Sequence, residues 1–85
     1  MMAKIVVAKQ LAGKKIITND GEELGKLIDL TVHESNGKIE HILVEPNLDN
    51  PTARSMNKDD GLITITYEAV LASSDHIIVD KKNLR

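Results

Sequence analysis

The sequence predicts a small all-β barrel of five to six short antiparallel strands with one short helical turn. Three turns, Asn19-Asp20-Gly21, Ser35-Asn36-Gly37 and Asp59-Asp60-Gly61, each place a glycine after two turn-forming polar residues. Glycine accepts positive φ there without steric cost. The apolar runs between these turns have strand length, and none sustains the 3.6-residue period of a long amphipathic helix. Closing such strands into a barrel also removes exposed sheet edges.

Each element has its own signal. Ile5-Val6-Val7 places a short strand within Lys4–Leu11, ending in a turn at Gly13. Lys14–Thr18 is a strand centred on Ile16-Ile17, and the next runs from about Glu23 to Glu34, with its partner over about Lys38–Glu45. A three-residue loop, Ser35-Asn36-Gly37, sets Ile28 opposite Val44, Leu30 opposite Ile42 and Glu34 opposite Lys38. That register separates apolar from polar faces and puts Gly37 at the left-handed position of a bulge. A two-residue loop would mix the faces. Pro46 ends the strand and opens a polar, structureless loop over 46–60. Ile63 and Ile65 alternate with Thr64 and Thr66 in a half-buried strand. Glu68–Ser73 reads as a single helical turn, His76–Val79 as the last strand and 81–85 as a polar tail.

Composition narrows the function classes. The chain has 85 residues, enough for a single domain over 1–85. Tyr67 is its only aromatic residue, so the core is drawn from 25 Ile, Leu and Val side chains. With 11 basic and 13 acidic residues and no block of either sign, nucleic acid is not an expected partner. Cysteine is absent, which suits a reducing cytoplasm and excludes thiolate chemistry. No segment reaches the ~20 apolar residues of a membrane span, so direct membrane insertion is not expected.

Candidate chemistry is sparse. The expected register puts His41 opposite Thr31 with His33 diagonal to it and Asp29 on the same face, so a two-His, one-carboxylate metal site is conceivable. Diagonal neighbours lie about 7–8 Å apart, however, and a fourth ligand is missing. Glu22-Glu23 and Asp59-Asp60 sit at turns, where acidic residues serve local hydrogen bonding and solubility. Ser73-Ser74-Asp75-His76 has the letters of a triad, but adjacent residues cannot converge on one site. Gly21 and Gly25 belong to a hairpin rather than a phosphate-binding loop. In Asn50-Pro51-Thr52 the proline disqualifies a glycosylation site. The expectation is therefore no catalytic residues and no cofactor.

What remains is a surface. If Ile28, Leu30, Ile42 and Val44 point inward, then Leu27, Ile39 and Leu43 point outward beside Thr31, His33 and His41. These six residues form the expected protein interface, three aliphatics within a polar rim.

Two segments in succession resemble the opening of a PRC-barrel domain. They are Leu11-Ala12-Gly13-Lys14-Lys15-Ile16-Ile17 and Asp20-Gly21-Glu22-Glu23-Leu24-Gly25-Lys26-Leu27-Ile28-Asp29. Members of that family typically carry L-G-K-x-V and then D-G-x-x-I-G-x-V-x-D. Asn36-Gly37-Lys38-Ile39 fits the later turn and His76-Ile77-Ile78-Val79 the closing strand, so the resemblance covers about Lys9 to Val79. It implies a small β-barrel used as an adaptor. The family includes the cytoplasmic domain of the photosynthetic reaction-centre H subunit, the C-terminal domain of the ribosome-maturation factor RimM, and stand-alone archaeal proteins. Some of the last are linked to cell division through the FtsZ anchor SepF. With no counterpart here of the H-subunit membrane helix or the RimM N-terminal domain, the resemblance implies the stand-alone type. The family pattern supplies no catalytic residues, and 46–60 matches none of its motifs. The expectation is a non-enzymatic, cytoplasmic interaction adaptor, homodimeric, with a partner such as SepF. The alternatives are a RimM-like ribosome-maturation accessory and a small metal-binding protein.

Overall fold

Alternating β-branched and polar residues between the glycine turns give six strands in the computed structural model, which describes residues 13–84. The strand expected within Lys4–Leu11 lies outside the described residues. The strands are β1 (Lys15–Thr18), β2 (Glu23–Val32), β3 (Ile39–Pro46), β4 (Ile63–Thr66), β5 (Val70–Ser73) and β6 (Ile77–Val79). They form one sheet in the order β4-β3-β2-β1-β6-β5. The sheet is mixed rather than wholly antiparallel, because β6 runs parallel to β1, with Ile16 opposite Ile77 and Thr18 opposite Val79. A parallel pair needs a long crossover, and everything from β2 to β5 supplies it here.

Thr18 accepts from the Gly21 N–H at 2.9 Å and donates its own N–H to Glu22 at 2.8 Å. These bonds define a three-residue loop, Asn19–Gly21, with Gly21 at φ +92°. The β3–β4 connection ends in a tight reversal, where Asp59 and Leu62 exchange backbone bonds across Asp60 (φ 56°) and Gly61 (φ 82°). Both central residues have positive φ, the geometry that matches strand twist.

The β2–β3 hairpin corrects the expected register. Asp29 opposite Leu43, Leu30 opposite Ile42 and Thr31 opposite His41 fall where the sequence placed them. On either side the ladder slips by one. Leu27, not Ile28, lies opposite Val44, and Val32 lies opposite Ile39. The loop is four residues, Glu34–Gly37, because His33 donates to Lys38 at 2.8 Å and accepts from Gly37 at 2.8 Å. His33 therefore stands where Glu34 was expected, although Gly37 does take positive φ, at 69°. Two bulges account for the slips: in β3 Glu40 is left over between His41 and Ile39, and in β2 Ile28 and Asp29 together oppose Leu43. A bulge exchanges the faces on one side of it. Leu27 is consequently 1% exposed and Ile28 45% exposed, the reverse of the expectation.

Gly25 shows a different need for glycine. A Cβ there would lie 2.0 Å from the Glu45 carbonyl oxygen and 2.9 Å from Val44 Cγ1, so β2 and β3 approach at a distance only glycine permits.

The 46–60 connection is not structureless. Asn50 caps a short helix, α1 (Pro51–Ser55), its side chain accepting from the Ala53 N–H at 2.8 Å. Pro51 occupies the first turn, where its missing N–H costs nothing. Ala53 and Met56 bury this connection against the sheet. The expected helical turn at Glu68–Ser73 is shorter and earlier, a 3₁₀ turn over Tyr67–Ala69, and Val70–Ser73 is strand. The polar tail contains a second 3₁₀ turn, Lys81–Asn83, capped by Asp80.

One aliphatic cluster forms the core. Ile63 and Ile65 from one end of the sheet meet Ile16, Leu24, Leu27, Leu30, Ile42 and Val44 from its middle. Ile77 and Val79 of β6 close the other side, so the sheet curls around its own inner face. Ala69, between β4 and β5, is fully buried and accepts from the Asp80 N–H at 2.8 Å.

Candidate functional site

The six residues expected to form an interface do not share one surface. Leu27 lies in the core, and Ile39 is half-buried and packs against it. Both departures follow from the one-residue slips on either side of Asp29–Thr31. Leu43, Thr31 and His41 are half-buried outer-face residues of the hairpin, while His33 is exposed at its tip. Ile28 joins Leu43 on the outer face through the β2 bulge. The apolar patch is therefore Ile28 and Leu43, bordered by Thr31 and His41.

The two histidines are held apart. His41 Nδ1 lies 3.1 Å from Thr31 Oγ1, and His33 Nδ1 lies 2.8 Å from Ser35 Oγ within the loop. Asp29 accepts from the Leu30 N–H at 2.7 Å. Each member of the conceivable metal trio thus has its own local partner, and no group of three metal-ligating side chains gathers among the described residues.

Next to the patch lies β4, with Thr64 opposite Leu43. β4 bonds to β3 along an unbroken register, His41 opposite Thr66 through Val44 opposite Ile63. Its other edge has no strand beside it among the described residues. A cleft of about 290 Å³ borders that edge, lined by His41, Thr64, Ile65, Thr66, Asn83 and Leu84. A second, of about 360 Å³, continues past His41 to Ile39, Tyr67 and Glu68. Both contain His41 and Thr66, so they form neighbouring recesses around one strand end. Tyr67 is 44% exposed there. The first recess mixes His41, two threonines and Asn83 with the aliphatic Ile65 and Leu84, and the second adds the acidic Glu40 and Glu68. The Ile63–Thr66 alternation was legible in the sequence; its place at one end of the strand order of the described residues was not.

On the opposite side a polar network ties three segments together. The Lys81 ammonium lies 3.2 Å from Asp20 Oδ2 and also pairs with Glu22 Oε2. Glu22 Oε1 accepts from Thr52 Oγ1 at 2.8 Å and from Asn50 Nδ2 at 3.2 Å. Thr18 Oγ1 accepts from the Glu22 N–H at 2.9 Å and donates to Asp20. The β1–β2 turn, the α1 N-terminus and the C-terminal turn are thereby joined. The bond from Thr18, then that from Lys81, holds the Asp20 carboxyl below the ordinary carboxylate range. Lys81, then Thr52, does the same for Glu22, and these two carboxylates, Glu22 first, raise Lys81. Each member has a partner within the network, so it reads as a structural tie rather than a reactive centre. Its acidic residues were read from the sequence only as turn formers.

Among the described residues no helix is long and apolar enough to cross a membrane. The sequence profile of the PRC-barrel domain matches residues 6–84. The uncharacterized protein MJ1118 of Methanocaldococcus jannaschii is 32% identical over 77 residues, covering 91% of this chain and 83% of that protein. The match spans nearly the whole chain, and the described residues form a curled, mixed six-stranded sheet with one short α-helix, consistent with the expected small β-barrel. The chain belongs to the PRC-barrel domain family.

Proposed function

We propose that this PRC-barrel domain is a non-enzymatic adaptor that acts through protein–protein contact and works as a homodimer. The observation that carries the reading is the β2 bulge, which turns Ile28 outward beside Leu43 instead of into the core. Such features commonly re-aim a side chain toward a binding or active site. The likeness to stand-alone archaeal members supports a place in cell division, with a SepF-type anchor as the partner to test first.

The experiment is affinity capture from lysate of the source organism, with and without nuclease, using the natural chain and the Ile28→Asp and Leu43→Asp variants. The reading predicts one or more proteins, division proteins foremost, retained after nuclease and lost with either variant at unchanged melting temperature. Ribosomal proteins that disappear with nuclease would move the job to ribosome maturation. Retention of the same proteins by both variants would remove the patch from the account.

A further inference from the structure

We infer that Asn36 is a site of spontaneous covalent modification, where the Gly37 backbone nitrogen closes a succinimide on the Asn36 side chain and water opens it chiefly to an isoaspartyl residue. The reaction alters the tip of the β2–β3 hairpin and does not depend on the proposed adaptor role.

Three features of the tip converge on this step. Asn36 and Gly37 are both exposed. Gly37 has no Cβ, and beyond its chain neighbours no atom lies within 4 Å of where one would stand, so the approach to its nitrogen is open. Asn36 Oδ1 accepts from the Lys38 N–H at 2.9 Å, an Asx turn that folds the side chain back along its own backbone toward Gly37. The same N–H stabilises the oxygen on which negative charge develops during attack. The other five asparagines are each followed by a residue with a side chain. Asn47 Nδ2 donates to the Glu23 carbonyl and Asn83 Nδ2 to Asp80, each at 3.2 Å. Asn50 precedes Pro51, whose nitrogen has no proton to lose.

The Gly37 nitrogen bonds to Asn36 Cγ and gives up its proton while the Cγ–Nδ2 bond breaks, so ammonia leaves and a cyclic imide forms. Holding both groups on adjacent residues supplies the proximity such a step needs. Water then opens the imide. Addition at the side-chain carbonyl gives aspartate; addition at the main-chain carbonyl gives isoaspartate, in which the main chain runs through Cβ. The Gly37 N–H donates to the His33 carbonyl at 2.8 Å, a bond that retains the proton, so the folded tip reacts when this bond opens. Exposed turns open at small cost. Either product adds one negative charge to a chain of net −2. Only isoaspartate also lengthens the main chain within the loop that His33 closes with Gly37 and Lys38. Both closing bonds cannot then be kept, and the hairpin end carrying His33 loosens. The free α-carboxylate of that product is a substrate for enzymes that methylate isoaspartyl residues.

Ageing the full chain at mildly alkaline pH, followed by peptide mapping with mass spectrometry, tests the assignment. The expected result is conversion of Asn36 ahead of every other asparagine, with ammonia released in step. The aged chain should also accept a labelled methyl group from an isoaspartate methyltransferase. Unfolding in urea should speed conversion at Asn36, because the bond to His33 is lost. Asn36→Gln, whose longer side chain closes an imide ring poorly, should lose both the conversion and the label. For the loop, the isoaspartyl form is separated by its added charge and melted beside Asn36→Asp. That variant carries the same charge and keeps an oxygen for the Lys38 N–H, so it should melt with the natural chain, and the isoaspartyl form lower. Asn36 left intact while the free peptide Ser35–Lys38 converts, or conversion spread evenly over the asparagines, overturns the site. An isoaspartyl form that melts with Asn36→Asp overturns the effect on the loop.

Discussion

Exchanging Leu27 and Ile28 one at a time for alanine tests the bulge that reverses the hairpin faces. Leu27 is 1% exposed within the core cluster. Alanine there removes three buried carbons at about 0.8 kcal/mol each and leaves a cavity, giving roughly 3 kcal/mol within the usual ~2–5 kcal/mol range. Ile28 is 45% exposed, so Ile28→Ala should cost about 1 kcal/mol or less. An 85-residue domain has a total stability of roughly 4–13 kcal/mol. Leu27→Ala therefore removes a large share of it. At about 4–8 °C per kcal/mol, Leu27→Ala should lower the melting temperature by roughly 12–24 °C and Ile28→Ala by at most about 8 °C. Urea denaturation with a common m-value reads the same difference as free energy. A regular hairpin without the bulge predicts the opposite order, with Ile28→Ala the more damaging. Equal losses would refute the face assignment altogether.

Gly25→Ala should destabilise by about 2–4 kcal/mol, since a Cβ 2.0 Å from the Glu45 carbonyl forces β2 and β3 apart, adding overpacking strain to lost ladder bonds. Denaturant melts check it, and a loss below about 1 kcal/mol would mean that the strands can separate freely. Asn50→Ala should cost about 0.5–2 kcal/mol as a lost helix cap; a neutral result in the same melts would show that α1 does not need it. The tie between Asp20, Glu22 and Lys81 predicts a two-sided pH profile. Both carboxyls are depressed from ordinary values of 3.8 and 4.5, so the folded state holds fewer protons than the unfolded state. Their contribution is present above those values and lost as pH falls through the lower folded ones. Lys81 is raised from 10.5, so its contribution is complete below that value and lost as pH rises through the folded one. Lys81→Met should flatten both limbs of a melting-temperature profile; an unchanged acid limb would exclude it as the carboxylates' partner.

The sequence made the strands legible where alternation and turns agreed. Ile63–Thr66 and the Gly21, Gly37 and Gly61 turns follow directly from β-branched alternation and the need for positive φ. The middle of the hairpin, Leu30 opposite Ile42 and Thr31 opposite His41, follows from segregation of faces. The bulge at Ile28 does not. It leaves no compositional mark, because Leu27 and Ile28 are equally apolar and either could enter the core. Loop length at Glu34–Gly37 was ambiguous for a related reason: three- and four-residue loops can both end in a glycine at positive φ. The helix at Pro51–Ser55 had a local signal in Asn50-Pro51, a cap followed by proline in the first turn, that the surrounding polar composition obscured. The parallel β1–β6 pair depends on contacts more than fifty residues apart, beyond the reach of any local pattern. That pair sets β6 and β5 beyond β1, so the strand order of the described residues emerges only with the tertiary contacts.

Hydroxyl-radical footprinting of the hairpin side chains, followed as protein concentration rises, tests the central claim that Ile28 and Leu43 form a working surface. The account predicts that Ile28, 45% exposed, oxidises readily in dilute protein and becomes protected as concentration rises. Leu27, 1% exposed, should stay protected throughout. Ile28 equally protected at every concentration, or equally reactive at every concentration, would contradict it.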